Sequence, residues 1–215
     1  QNTRDYYAQI ELIDEQFGRL MDYLDEKGLR ENTIVIYMTD HGELDGDHGS
    51  YFKGPYFYES LVHVPLIMSC PGTILQNVKR SALVELVDLA PTLLEMNGIE
   101  IPAYMQGKSF KQLLIDEGAK DVHKKSVYTE YYDCLCQVGY SGIFATMYYD
   151  GRFKIVNHHG HDYGELYDHA VDPDEYHNLW YDEKYRDLKH ELIKKNFDQM
   201  VLNNADYVLE RRWGY

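Results

Sequence analysis

Cysteine, proline and tryptophan are scarce in this chain: three, six and two among 215 residues. Cys70, Cys134 and Cys136 are too few and too irregularly spaced to make a disulfide framework. Cys134 and Cys136 would share one face of a strand, and ordinary half-buried thiols are the expectation there. No apolar run is long enough to span a bilayer. Basic residues are outnumbered, 21 against 36 acidic ones, leaving a formal charge of −15. That balance argues against nucleic acid or an anionic membrane as partner, since both need a basic face. There is no Gly-x-Ser-x-Gly elbow and no serine or cysteine in another recognised nucleophile setting. Internal repeats, low-complexity segments and long linkers are also missing. Gln1 is not a start residue, so the chain is expected to be cut from a longer protein, and a missing leader says nothing about compartment.

What remains is the composition of a soluble globular protein, 44% hydrophobic and 27% charged, long enough for one full core or two small ones. Tyrosine is abundant, at 21 residues. Such residues suit a carbohydrate face, but they also populate half-buried strands, and the strand reading is preferred.

Ile10, Ile13, Phe17, Leu20 and Leu24 recur at helical spacing and predict a helix over residues 5–27, stopped by Gly28. Thr33 to Met38 and Val64 to Ser69 are short apolar runs without alternation, which read as strands covered on both faces. A helix, then a buried strand, then a ligand-bearing loop is the doubly wound α/β arrangement. Asp88 can cap a helix running to Met96, and Ser109 a shorter one ending near Gly118. After residue 120 the texture changes. Ser126 to Tyr132, Gly142 to Tyr149, Arg152 to Asn157 and Glu165 to Asp168 read as strands, with Asp150-Gly151 as a hairpin turn. A charged helix over residues 182–202 follows, with Tyr185, Leu188, Leu192 and Phe197 on or near its apolar side. The expectation is an α/β piece over residues 1–120 and an α+β unit, antiparallel sheet plus one helix, over residues 121–215.

Chemistry concentrates in Thr39-Asp-His-Gly-Glu-Leu-Asp-Gly-Asp-His-Gly-Ser-Tyr-Phe-Lys53. Asp40 and His41 stand where a strand stops; a carboxylate and an imidazole can share one divalent cation if the backbone turns, which Gly42 allows. Lys53, among Tyr51, Phe52, Tyr56 and Phe57, is expected to be partly desolvated and able to bind an oxyanion. The acidic residues Glu43, Asp45 and Asp47 lack EF-hand spacing and read as a solvated turn. His158, His159 and His161 have no suitably spaced partner for zinc and read as a loop or the rim of a substrate site. These groups together suggest metal-assisted hydrolysis of a sulfate or phosphate ester.

The order of motifs resembles the sulfatase family of the alkaline phosphatase superfamily. The resemblance rests on Thr39-Asp-His-Gly-Glu, Gly46-Asp-His-Gly, Lys53, Tyr58-Glu-Ser and Val64-Pro-Leu-Ile. It extends to Tyr6-Tyr-Ala with Asp14 and Gly18-Arg-Leu, to Asp88-Leu-Ala-Pro-Thr-Leu-Leu and to Gln106-Gly-Lys-Ser. Gly151-Arg-Phe-Lys, Glu165-Leu-Tyr-Asp, Asp172-Pro-Asp-Glu and Asn178-Leu continue it, so it covers nearly the whole chain in family order.

It implies that Asp40 and His41 are metal ligands, Lys53 a sulfate-binding lysine with a catalytic role, and His48 a substrate-rim residue. The implied metal is calcium, with manganese as the alternative that an imidazole ligand favours. Two departures stand out. His63 occupies a place where arginine is frequent, and the Cys/Ser-x-Pro/Ala-x-Arg motif that yields the formylglycine nucleophile does not occur. The chain therefore resembles the carboxyl-terminal portion of a sulfatase-like α/β sandwich and would be inactive alone. The implied partner is a sulfated small molecule or sugar sulfate. A phosphodiester or phosphonate monoester hydrolase of the same superfamily and a non-catalytic structural module stay open as alternatives. Strands deprived of sheet neighbours predict self-association of the isolated chain.

Overall fold

A computed structural model describes residues 2–133 and 142–212, so Cys134 and Cys136 lie outside the described residues. The chain forms two units, Gln1–Lys79 with Leu114–Ala119, and Arg80–Leu113 with Lys120–Tyr215.

In the first unit the predicted leading helix is α1 (Asn2–Glu26). Its end is closed by backbone bonds from Gly28 to Asp25 and from Leu29 to Leu24, at 3.0 and 2.9 Å. Phe17 meets the Tyr37 ring edge-on at 5.5 Å. Of the five periodic apolar residues only Phe17 and Leu24 are half-buried; Ile10, Ile13 and Leu20 are exposed. Periodicity located the helix but overstated how much of its stripe is covered.

The two apolar runs form β1 (Val35–Met38) and β2 (Leu66–Ser69), paired antiparallel from Val35 opposite Ser69 to Met38 opposite Leu66. Two expectations are corrected. The strands are not the parallel neighbours of a doubly wound sheet, and they are not covered on both faces, since Ile67 is 61% exposed. An unalternating apolar run carries no information about strand direction, and a two-stranded ribbon has no second layer of its own. The α/β class itself holds, with helices and antiparallel sheet mixed along one chain.

In the second unit, α3 (Leu89–Met96) follows a single helical turn at Leu86–Asp88, after α2 (Glu59–Val62) earlier in the chain. Asp88 does not cap α3 through its side chain. It is fully buried, and its carboxylate accepts from the amides of Lys108 (2.8 Å) and Glu85 (3.0 Å) and pairs with Lys124 (2.7 Å). The residue type that suits a cap serves here as a buried acceptor joining three segments. Helix α4 (Lys111–Ile115) does begin as read, with the amide of Lys111 donating to the Ser109 hydroxyl at 3.2 Å.

Four strands, β3 (Val127–Tyr132), β4 (Phe144–Tyr149), β5 (Phe153–His158) and β6 (Gly164–Asp168), form an antiparallel meander in chain order. The β4–β5 turn is the expected Asp150-Gly151. The Asp150 carboxylate accepts from the amides of Arg152 and Phe153 at 3.0 and 2.8 Å, and Gly151 takes φ 94°.

Helix α5 (Arg186–Arg212) packs on this sheet through a core of Tyr148, Ile155, Leu166, Trp180 and Leu192. Burying Leu192 contributes roughly 2–3 kcal/mol. An exposed pair such as Lys195–Glu191 contributes a few tenths. Packing, not surface charge, therefore holds the helix. Phe197, expected near the apolar side, is 58% exposed.

Candidate active site

Strand β1 ends at Met38, and the chain leaves extended geometry for the next residues. That turn is what lets neighbours in sequence converge. Asp40 Oδ2 and His41 Nε2 lie 3.7 Å apart. The other carboxylate oxygen, Oδ1, accepts from the His41 amide at 3.1 Å and from the Thr39 hydroxyl at 3.3 Å. His41 Nδ1 lies 2.8 Å from the carbonyl of Gly42. A proton on Nδ1 satisfies that contact and leaves Nε2 with its lone pair beside Asp40 Oδ2. The Asp40 carboxyl is held below the ordinary aspartate range, first by a hydrogen bond from its own amide. An ionised carboxylate and an oriented imidazole on one side of a turn fit a divalent cation.

The turn depends on a close approach. The Gly42 amide donates to the Leu61 carbonyl at 2.8 Å, and a Cβ on residue 42 would stand 1.9 Å from the Ser60 carbonyl oxygen. Glycine is thus required for lack of volume, in addition to the flexibility read from the sequence.

Residues 44–52 fold back on themselves. Leu44 is buried at the base, its amide donating to Phe52 at 3.1 Å, and Gly46 donates to Ser50 at 2.8 Å. Asp45 and His48 both adopt left-handed backbone, φ 43° and 47°. Asp45 through its backbone and Asp47 through its carboxylate serve the turn, whereas Glu43, expected in the same solvated turn, has its Oε1 buried.

His48 stacks on Tyr58, ring centroids 3.6 Å apart and planes 7° from parallel. Lys53 closes the loop and is exposed, as are Tyr51, Phe52 and Tyr56 around it. The expected desolvation of Lys53 does not occur within this unit: Tyr51, Phe52 and Tyr56 are exposed as well, and Phe57, the one buried ring of the four, leaves the lysine uncovered.

The structure thus brings Asp40 and His41 together and sets His48 and Lys53 on the loop that follows. Sequence reasoning did not single out the roles of Thr39 and Leu61. One acts through a hydroxyl beside the carboxylate and the other through a backbone carbonyl, and neither leaves a motif. The histidine loop resolves into separate pairs: His158 with Glu165 (3.2 Å) and His159 with the Thr146 hydroxyl (2.9 Å).

The model of the carboxyl-terminal domain of N-sulphoglucosamine sulphohydrolase matches residues 46–201, which include His48 and Lys53. The chain belongs to the sulfatase family. This sulfatase chain is 34% identical over 196 residues to an N-acetylglucosamine-6-O-sulfatase of Bacteroides thetaiotaomicron, covering 90% of itself and 35% of that protein. It is 30% identical to a protein solved in complex with its substrate D-glucosamine-2-N,6-O-disulfate, with a TM-score of 0.81 over 91% of the chain and 40% of that structure. A phosphonate monoester hydrolase from Silicibacter pomeroyi is 26% identical, with a TM-score of 0.76 over 89% of the chain and 39% of that structure. The chain spans about a third of the length of the curated relatives it matches.

Proposed function

We propose that this chain is part of a sulfatase that hydrolyses sulfate esters, with a sulfated sugar or small molecule as substrate. The observation that carries the reading is the convergence of Asp40 Oδ2 and His41 Nε2 at 3.7 Å within a sulfatase-family chain. Asp40 and His41 would hold a divalent cation, calcium first and manganese second, supplying positive charge against the ester oxygens. Lys53 places its ammonium against the nonbridging sulfate oxygens, where charge develops. His48 contacts the alcohol portion at the rim. The nucleophile, a formylglycine, lies outside this chain, in keeping with a sequence that lacks its motif. With a formal charge of −15, the pocket needs both the cation and Lys53 to reverse the field locally.

A second reading, a phosphonate monoester or phosphodiester hydrolase, is favoured by the likeness to the Silicibacter enzyme. Turnover of an aryl sulfate, a phosphonate monoester and a phosphodiester by the full-length enzyme separates the two. The sulfatase reading expects the highest kcat/KM for the sulfate. A phosphonate monoester preferred by tenfold or more overturns it in favour of the second.

A further inference from the structure

His48 is held in an unfavourable backbone conformation. Its φ of 47° and ψ of 26° are left-handed, a region that a non-glycine residue rarely adopts. Something must keep it there. Two groups in the same unit do so. The Asp47 carboxylate accepts from the His48 amide at 3.0 Å, which fixes the backbone. The Tyr58 ring lies 3.6 Å from the imidazole and nearly parallel to it, which fixes the side chain.

Tyr58 is itself well anchored. It stands immediately before α2, its carbonyl accepts from the amides of Leu61 and Val62 at 2.8 and 3.0 Å, and Tyr56 stacks behind it at 5.9 Å. The same four-residue stretch, 58–61, also supplies the Leu61 carbonyl that receives the Gly42 amide. One short turn therefore braces the Asp40–His41 end of the loop through backbone and the His48 end through an aromatic face.

We propose that Tyr58 is a positioning residue for substrate binding, acting through His48, and that α2 couples the rim of the site to its candidate metal pair. The inference rests on His48 contacting substrate, as proposed above. Tyr58 sets the plane of the imidazole, whose Nε2 is turned inward, and so the edge of the ring that the sugar meets. A ring wall that only filled space would tolerate replacement by an aliphatic chain of similar volume; a ring wall that orients its neighbour would not.

The test uses the full-length sulfatase with Tyr58→Met and Tyr58→Phe. Tyr58→Met removes the flat face while keeping bulk. It should raise KM for a sulfated sugar by about tenfold, the change that losing one well-made aromatic contact corresponds to. It should leave kcat within about twofold, because the lost interaction is made equally in ground and transition states. Tyr58→Phe should restore the native KM. Proton NMR supplies a readout independent of turnover. Ring currents from Tyr58 shift the His48 imidazole protons, and that shift should vanish in Tyr58→Met and persist in Tyr58→Phe. Loss of the shift with an unchanged KM overturns the positioning role. A Tyr58→Met protein that fails to fold, or a raised KM that Tyr58→Phe does not restore, assigns Tyr58 to the core and also overturns it. His48→Ala with an unchanged KM refutes the rim role of His48 itself, separately from the stack that NMR reports.

Discussion

The amide of Gly42 donates to the carbonyl of Leu61 across 2.8 Å, tying the turn that carries Asp40 and His41 to α2. The bond is short because nothing but hydrogen stands on the Gly42 α-carbon toward Ser60.

Gly42→Ala forces a methyl against backbone, 1.9 Å from the Ser60 oxygen, which no side-chain rotation relieves. Overpacking of this kind lowers stability by about 1–3 kcal/mol. It should also weaken metal binding, since Asp40 and His41 move with the turn. Denaturant midpoints and calorimetric metal titration of the full-length enzyme measure both; native values in each would mean the turn has slack.

Lys53→Ala should lower kcat by roughly 100-fold or more if the ammonium stabilises charge in the transition state. Metal content should not change. A rate equal to wild type in steady-state kinetics would remove Lys53 from the proposed site.

In the second unit Arg152 Nε and Nη2 donate to the two oxygens of buried Asp168, at 2.8 and 2.7 Å. Arg152 holds the Asp168 carboxyl below its ordinary value of 3.8. A depressed carboxyl contributes stability above its unfolded pKa and loses it as pH falls through the folded one. Arg152→Leu should therefore destabilise the protein at pH 7. The difference should shrink once pH drops below about 3.8. Thermal unfolding from pH 2 to 7 checks the sign; a gap that widens toward acid contradicts it.

The chain expressed alone should self-associate. Ile10, Ile13 and Leu20 lie exposed on α1, and Ile67 lies open on the β1–β2 ribbon. Light scattering should give a dimer or larger species, and the same sample should not hydrolyse an aryl sulfate. A monomer at high concentration refutes the first expectation, and robust turnover the second.

Much of this was legible in the sequence where a local rule decides. Asp150-Gly151 named its hairpin, the spacing of Ile10 to Leu24 named α1, and the strands of the meander carried β-branched and aromatic residues between turn signals. The site loop was legible as a set of residue types. Three things were not. The antiparallel pairing of β1 with β2 depends on what each strand meets, which apolar runs do not encode. The burial of Asp88 depends on Lys108 and Lys124, twenty and more positions away. The His48–Tyr58 stack depends on left-handed backbone at a histidine, which no pattern announces.

The central claim is that Asp40 and His41 hold the metal that sulfate ester hydrolysis requires. The direct measurement is metal content together with aryl sulfate turnover for Asp40→Ala and His41→Ala in the full-length sulfatase. We predict that each loses most of its bound metal and at least about 100-fold in kcat/KM. Stoichiometric metal with near-native turnover in either variant would contradict the claim.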